Sequence, residues 1–335
     1  MTIELINFYI KRYKHFIMDL LTIVVPCFNE ESSVEIFFKE IKKILNKYNY
    51  EIIFVNDGSK DNTLANIKKL AKDNSNIKYI SFSRNFGKES ALYAGLKNSK
   101  GDMVCIMDVD LQDPPELLPQ MIELIETEDC DIIATRRVTR AGEPKIRSLF
   151  ARLFYKVFNK ISRIDLVDGA RDYRLMTRQV VDSVLELNEY NRFSKGLFQW
   201  VGYETKWLEY ENIERVSGET SWSFFGLFSY SLEGILAFTT VPLSISTFFG
   251  IMLSIVAFIL IIFIILKNLL FSDPVAGWTS TICVILLLGG IQLFSIGILG
   301  KYLEKTYIEI KNRPIFIIKE TNIEWIKYRN MLITV

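Results

Sequence analysis

A chain of 335 residues has room for one large domain and further elements, and its 40 basic residues against 39 acidic ones give no global charge that would recruit nucleic acid. His15 is the sole histidine, which excludes a His-ligated metal site and a Ser-His-Asp triad. Half of the residues are apolar, and they are unevenly spread.

Residues 1–18 form an N-terminal extension, apolar and basic through Ile10–Lys14, without a signal-peptide core or cleavage site. They suit a short amphipathic helix on a membrane surface, and Met18 would serve equally well as a start, since the first strand follows it directly. Leu21–Val25 is a buried-strand run ending in Pro26-Cys27-Phe28-Asn29-Glu30. The next segment spaces Val34, Phe37, Phe38, Ile41, Ile44, Leu45 and Tyr48 three and four apart, which predicts a helix. Strand Glu51–Val55 leads into Asn56-Asp57-Gly58-Ser59-Lys60-Asp61, and strand Ile77–Phe82 into Ser83-Arg84-Asn85-Phe86-Gly87-Lys88 and a helix to Asn98. Met103–Met107 is a fourth strand and Asp131–Thr135 a fifth. Strands alternating with helices predict an α/β fold, a mostly parallel sheet covered on both faces. Ligands of such sheets sit outside the carboxyl ends of the strands, so Asn29, Asp57, Asn85 and Asp108 should converge on one crevice.

The fourth strand ends in Met107–Glu116, M-D-V-D-L-Q-D-P-P-E, with Asp108, Asp110, Asp113 and Gln112 bunched together. Carboxylates so placed repel unless a cation sits among them, and an Asp-x-Asp-x-Gln set of hard oxygen ligands suits Mg²⁺ or Mn²⁺ completed by substrate phosphates. The bland reading is a solvated acidic turn. Neither G-x-G-x-x-G nor G-x-x-x-x-G-K-[ST] occurs, so a nucleotide would be held by the carboxylates, a metal, and Lys88 or nearby arginines.

Arg136, Arg137, Arg140, Lys145 and Arg147 follow the fifth strand, and an amphipathic helix is predicted over Leu149–Ile161. The cations read either as a solvated or lipid-facing edge or as an anion clamp, because guanidinium pairs phosphate through two hydrogen bonds. Asp168–Leu175 sets Asp172 between Arg171 and Arg174, which reads as a site element or as an ordinary ion-pair cluster. The segment 19–215 is expected to form the large domain that holds this crevice, the candidate catalytic domain. Residues 216–238 carry Trp222, Phe224, Phe225, Phe228 and Tyr230 and predict amphipathic helices in the membrane interface.

Between Glu233 and Lys267 lie 33 uncharged residues, and between Asp273 and Lys301 another 27. Each run exceeds the roughly 20 apolar residues that cross a bilayer, predicting transmembrane helices over 239–266 and 276–300 joined as a hairpin. Lys301, Lys305, Lys311 and Arg313 outnumber Glu304 and Glu309 just after the second span, which places the flanks, the catalytic domain and the tail 301–335 in the cytoplasm of a multi-pass plasma-membrane protein. Cys27, Cys105, Cys130 and Cys283 have neither metal nor disulfide spacing and read as small core residues in a reducing compartment.

The ordered set V-V-P-C-F-N-E-E, V-N-D-G-S-K-D-N-T, S-R-N-F-G-K-E-S-A, M-D-V-D-L-Q-D-P-P-E, R-D-Y-R-L-M and G-E-T-S-W-S-F resembles family 2 glycosyltransferases of the polyprenyl-phosphate branch, relatives of dolichol-phosphate mannose synthase and bactoprenol glucosyltransferases, over roughly residues 20–315. The resemblance implies a glycosyltransferase-A-type, Rossmann-like sheet and inverting transfer of one hexose from a UDP-sugar to a polyprenyl (undecaprenyl) phosphate. The lipid-linked product would serve cell-wall or surface glycan modification. Glucose and N-acetylglucosamine lead as the sugar, with mannose or galactose behind.

It implies that Pro26, Asn29, Glu30 and Asp57 hold uracil and ribose, with Asn85, Lys88 and Asp108 completing the nucleotide-sugar site. Asp108, Asp110 and Gln112 would hold Mg²⁺ or Mn²⁺, Asp172 and Asp110 would be catalytic, and Arg137, Arg140, Arg147 and Lys195 would surround the acceptor phosphate. The implied partners are the two substrates and the bilayer; homo-oligomers occur among relatives, and nothing in the sequence counts subunits. Tyr173 stands where Phe is usual, Arg171 where many relatives carry Gly, and Ser221-Trp222 where K-Y is common, departures that bear on sugar specificity. A processive polysaccharide synthase would carry Q-x-x-R-W and more spans, whereas here Gln199 precedes Trp200-Val201 directly. A non-catalytic membrane scaffold is the other competing reading, opposed by the intact acidic set.

Overall fold

Leu21–Cys27 (β1) is buried along almost its whole length because strands pair with it on both sides and helices cover both faces. The computed structural model describes residues 18–138, 145–211, 224–271 and 277–324. Their strands form one eight-stranded sheet: β1, β2 (Tyr50–Asn56), β3 (Ile77–Phe82), β4 (Met103–Ile106), β5 (Ile132–Arg137), β6 (Ala170–Thr177), β7 (Thr205–Tyr210) and β8 (Ile318–Thr321), in the order β7-β5-β6-β4-β1-β2-β3-β8. Pairing of β1 with β2 and β4, and of β2 with β3, is parallel. The chain therefore steps outward from β1 to β3 and returns on the other side of β1 as β4. That reversal opens the crevice between the carboxyl ends of β1 and β4.

Side chains alternate across β1, with Leu21, Ile23 and Val25 in one core layer and Val24 in the other. Helices α1 (Val34–Leu45), α2 (Thr63–Asp73) and α4 (Leu118–Thr127) close the first layer through Phe37, Ile41, Ile67 and Met121. Helices α3 (Lys88–Asn98) and α6 (Arg178–Glu186) close the second through Leu92, Leu96 and Val180. Pro26 lies within a central strand, where a missing N–H would ordinarily cost a ladder bond. The β1–β4 ladder ends at Val24–Ile106, and from Pro26 onward only β2 remains beside β1, so no bond is lost.

Two strands run against the rest: β6, between β4 and β5, and β8, beside β3. Six of the eight strands, β5 and β7 included, thus run the same way, as expected of a mostly parallel sheet. Within the segment 301–335, which the sequence marks as a tail, Ile318–Thr321 complete the sheet. There the Ile317 carbonyl accepts from Ser83 N–H (3.0 Å) and Phe316 stacks on Phe82 (5.0 Å). An exposed β3 edge would otherwise carry unpaired backbone groups. The predicted helix 149–161 begins earlier, as α5 (Lys145–Ile161).

Between α7 (Ser194–Trp200) and β8 stand α8 (Phe224–Phe238), α9 (Val241–Phe271) and α10 (Trp278–Ile310). Phe238 of α8 closes an aromatic cluster with Phe158 and Phe193, at 6.4 and 6.0 Å. Among the described residues one stretch, Val241–Leu260, is long and apolar enough to cross a membrane, with mean hydropathy 2.3 and none of it buried. The second expected span, 276–300, lies in α10 from Trp278 onward, and this helix exposes Leu293, Phe294, Ile296 and Leu299. Residues 216–223 of the expected interfacial region, Trp222 included, lie outside the described residues, as do residues 1–17 of the extension.

Candidate active site

The β4–β6 pairing organises the site. Its register runs Met103–Thr177 to Ile106–Arg174, and Asp108 follows two residues beyond the end of β4, where it and Asp172 share the ammonium of Lys88. Like charges so close to one another repel. Lys88 relieves them: its ammonium lies 2.7 and 3.0 Å from the two oxygens of Asp108 and 2.6 Å from Asp172 Oδ2. Burial alone would lower the Lys88 pKa, but the two carboxylates outweigh it and hold the ammonium well above its ordinary range. Burial would likewise raise Asp172, yet Lys88, Lys195 and Arg174 together hold it well below the usual carboxylate range.

Lys88 opens α3, and the loop before it is fixed from β2. Asp57, 3% exposed, accepts hydrogen bonds from Phe86 N–H (2.7 Å) and Gly87 N–H (2.9 Å), while burial raises its pKa despite them. Gly58 is in the left-handed region (φ 67°), and a Cβ there would lie 2.4 Å from the Arg84 carbonyl carbon, so the loop can close on β2 only over glycine. From β1, Asn29 (φ 55°) accepts from Lys60 N–H through Oδ1 and donates its own N–H to Ser59 Oγ, both at 3.0 Å. Glu30 Oε2 accepts from the Ser33 hydroxyl at 2.7 Å. Asn29, Glu30 and Asp57 thus share one rim with Pro26, bracing each other's loops, and Asn85 lies exposed on the loop that Asp57 holds.

Beyond Asp108 the chain turns through Leu111, also left-handed (φ 55°), which lets Asp110 Oδ1 accept from Gln112 N–H at 3.2 Å. Gln112 Oε1 accepts from Arg137 at 3.2 Å, linking the acidic turn to the end of β5. Arg137 N–H donates to the Gly169 carbonyl (3.1 Å), and Gly169 (φ 79°) permits this approach because a Cβ would lie 2.5 Å from the Arg137 carbonyl oxygen. Arg136, Arg137 and Arg152 with Asp168 line a recess of about 440 Å³ beside this point. Lys195 Nζ donates to the Ala170 carbonyl at 2.9 Å, one strand position from Arg171. Of the four cations expected at an acceptor phosphate, Arg137 and Lys195 are thus brought beside the acidic centre. Arg140 and the Arg147 side chain lie outside the described residues.

Two features escaped the sequence. Asp113 is buried to 2% exposure, with Arg171 Nε at 2.8 Å and the Tyr210 hydroxyl also donating to it, so it anchors the turn from below. Arg174, at 1% exposure, donates to the Arg171 carbonyl (2.9 Å) and rests on the Phe198 ring (4.0 Å), and burial lowers it to about 10. It fixes the backbone on which Asp172 sits. Tyr173 between them buries its hydroxyl without a hydrogen-bond partner. Replacing Tyr173 by Phe should remove that cost and stabilise by ~1 kcal/mol, raising the melting temperature by ~2 °C; a lower melting temperature would show that the hydroxyl is used.

Asp108 and Asp110 present hard oxygen donors at the crevice, with the second lone pair of the Gln112 amide oxygen beside them. No group of three or more His, Cys, Asp or Glu side chains gathers into a metal cage among the described residues. This donor set fits a small divalent cation that takes one or two carboxylates and completes its shell with substrate phosphates, and does not fit an all-protein cage.

Residues 22–185 match the model of glycosyl transferase family 2. The chain is 44% identical to the putative glycosyltransferase CsbB of Bacillus subtilis over 306 residues, 91% of this chain and 92% of that protein. It is 41% identical to the bactoprenol glucosyl transferase of Shigella phage SfII over 304 residues, 90% of this chain and 98% of that protein. Among solved structures it is similar to glucosyl-3-phosphoglycerate synthase of Mycobacterium tuberculosis in complex with Mn²⁺, UDP-glucose and phosphoglyceric acid, with 20% identity and a TM-score of 0.45, over 65% of this chain and 78% of that one. From its extended likeness to the first two, this chain is a glycosyltransferase and belongs to glycosyl transferase family 2.

Proposed function

We propose that the protein transfers one glucose from UDP-glucose to undecaprenyl phosphate, with inversion at the anomeric carbon. The observation that carries this reading is the meeting of Asp108 and Asp172 on Lys88 at the end of the β4–β6 pair, beside an arginine-lined recess. A diphosphate donor and a phosphate acceptor need two adjoining anion sites, one metal-bridged and one cationic. The relatives named as bactoprenol glucosyl transferases favour glucose and a polyprenyl acceptor.

Asp108 and Asp110, with Gln112, would hold Mg²⁺ or Mn²⁺, which when bound neutralises charge on the departing diphosphate. Pro26, Asn29, Glu30, Asp57 and Asn85 form the rim on which the uridine would rest. Arg137 and Lys195 would take the acceptor phosphate, with Arg140 and Arg147 as further candidates. Because a phosphate monoester has a second pKa near 6, the acceptor is largely the dianion at neutral pH and hardly needs a base. Asp172 then holds Lys88 and the acceptor's surroundings in place, and the in-line attack is positioned by cationic groups.

The chain path supports a membrane arrangement for the segment between α8 and β8. The segment leaves the catalytic sheet at α8 and returns to it as β8, beside β3. Near the base, Tyr302 of α10 donates to the Thr239 carbonyl (2.6 Å), and Glu309 accepts from Tyr190 N–H (2.9 Å). A chain that crossed once on α9 would need to cross again to return, which supports the reading of 239–266 and 276–300 as a hairpin, with α10 as its second span. The catalytic domain, 19–215, then lies in the cytoplasm against the inner face of the plasma membrane, with residues 216–238 in the interface.

The test is a panel of radiolabelled donors, UDP-glucose, UDP-N-acetylglucosamine and UDP-galactose, each with undecaprenyl phosphate. A chloroform-soluble product from UDP-glucose is expected; product from another donor alone would overturn the assignment of the sugar.

A further inference from the structure

The ammonium of Lys88 contacts both oxygens of Asp108 and one of Asp172, and Arg171 Nη2 stands 3.9 Å from Asp108 Oδ2. The first of the carboxylates expected to hold a divalent cation is therefore already neutralised from within the chain. A dication on the same carboxylate and this ammonium would repel each other, so they exclude one another unless further negative charge arrives. A donor diphosphate brings it. Lysine meets phosphate as a mobile point charge on a flexible stem. The Lys88 side chain is 39% exposed while its backbone is held by the loop that Asp57 clamps, so the ammonium can move without the helix moving.

We propose that Lys88 is a built-in stand-in for the cation, which occupies Asp108 in the unloaded enzyme and gives way only when a nucleoside diphosphate is bound, making cation binding conditional on the donor. This rests on the reading of Asp108 and Asp110 as cation ligands. The coupling prevents the acidic turn from carrying an ion that no substrate needs, and it keeps Asp172 paired to Lys88 in the free enzyme. Lys88 is on this account a positioning residue.

The experiment is Mn²⁺ titration of the detergent-solubilised full chain, followed by the electron paramagnetic resonance signal of free Mn²⁺, with and without UDP. Wild type should bind Mn²⁺ weakly alone and at least ~10-fold more tightly with saturating UDP. Lys88→Met should bind Mn²⁺ without UDP at least ~10-fold more tightly than wild type, with UDP adding less. Lys88→Arg, which keeps the charge, should bind as weakly as wild type in the absence of UDP. Equal Mn²⁺ affinity of wild type and Lys88→Met without UDP would overturn the proposal while leaving the cation site standing. Absence of Mn²⁺ binding by wild type even with UDP would overturn the cation reading and the proposal with it. Should Lys88→Met not fold, Lys88→Gln serves the same comparison, and wild type that binds Mn²⁺ equally with and without UDP refutes the coupling without any variant.

Discussion

Replacing Arg171 by Ala should lower the stability of the catalytic domain by ~3–5 kcal/mol, because it leaves a buried carboxylate without its cation. Asp113 is almost wholly enclosed, and the Arg171 Nε hydrogen bond at 2.8 Å is its one contact with a cation among the described ion pairs. Burial would lower the Arg171 pKa, but Asp113 and Asp108 outweigh it and raise it, so the guanidinium is charged at every accessible pH. The Tyr210 hydroxyl would remain, and a neutral donor does not offset a buried charge. Denaturant midpoints of the solubilised protein measure the effect. The double replacement Arg171→Leu with Asp113→Leu should recover most of the loss, since apolar side chains of similar volume often match a buried pair. A single-variant loss under ~1 kcal/mol would mean the pair behaves as a solvent-screened surface contact.

Asp172→Asn should reduce transfer on the order of 10²-fold, through misplacement of Lys88 and the surrounding cations. The reduction should be the same factor from pH 6 to pH 8.5. The sign follows from the site's charges. A carboxylate held below its ordinary range contributes stability that is complete above its unfolded pKa of ~3.9 and is lost only as the pH falls through the lower folded value. An ammonium held above its ordinary range contributes stability that is complete below ~10.4 and is lost only above the raised folded value. Neither Asp172 nor Lys88 therefore changes charge between pH 5 and 9. An acid limb near pH 6 in the wild-type profile belongs to the acceptor phosphate. Rate profiles of wild type and variant at matched acceptor concentration check this. If Asp172→Asn lost activity at pH 6 and recovered it at pH 8.5, Asp172 would be a true base.

What could be read from the sequence follows from what each element had to look like. Strands β1 to β4 are buried on both faces and read as continuous apolar runs, and the rule that ligands gather at their carboxyl ends points to Asn29, Asp57 and Asp108 from the sequence. Strand β6 is different: Arg171, Asp172 and Arg174 interrupt its only apolar stretch, and Arg174 is buried there by resting on Phe198. Such a pattern reads as a polar loop. Strand β7 lies at a sheet edge, where Lys206 and Glu209 form ion pairs with Glu128 and Arg136, and β8 is four residues with two charges whose strand character comes from the open edge of β3. With β6 unrecognised, the meeting of Asp108 and Asp172 was illegible, since it depends on an antiparallel register and not on spacing. The Arg171–Asp113 pair and the bridging position of Lys88 were hidden for the same reason. Spacing tells which residues share a face; register tells which of them touch.

The most direct test of the account is the mass of the lipid product formed by purified protein, UDP-glucose and undecaprenyl phosphate with Mg²⁺, with EDTA, and with Asp110→Asn. The account predicts undecaprenyl phosphate enlarged by a single hexose, with UDP released, and no product with EDTA or in the variant. A ladder of hexoses would make the protein a processive synthase, and product undiminished by EDTA would remove the cation from Asp108 and Asp110 and contradict the centre as described.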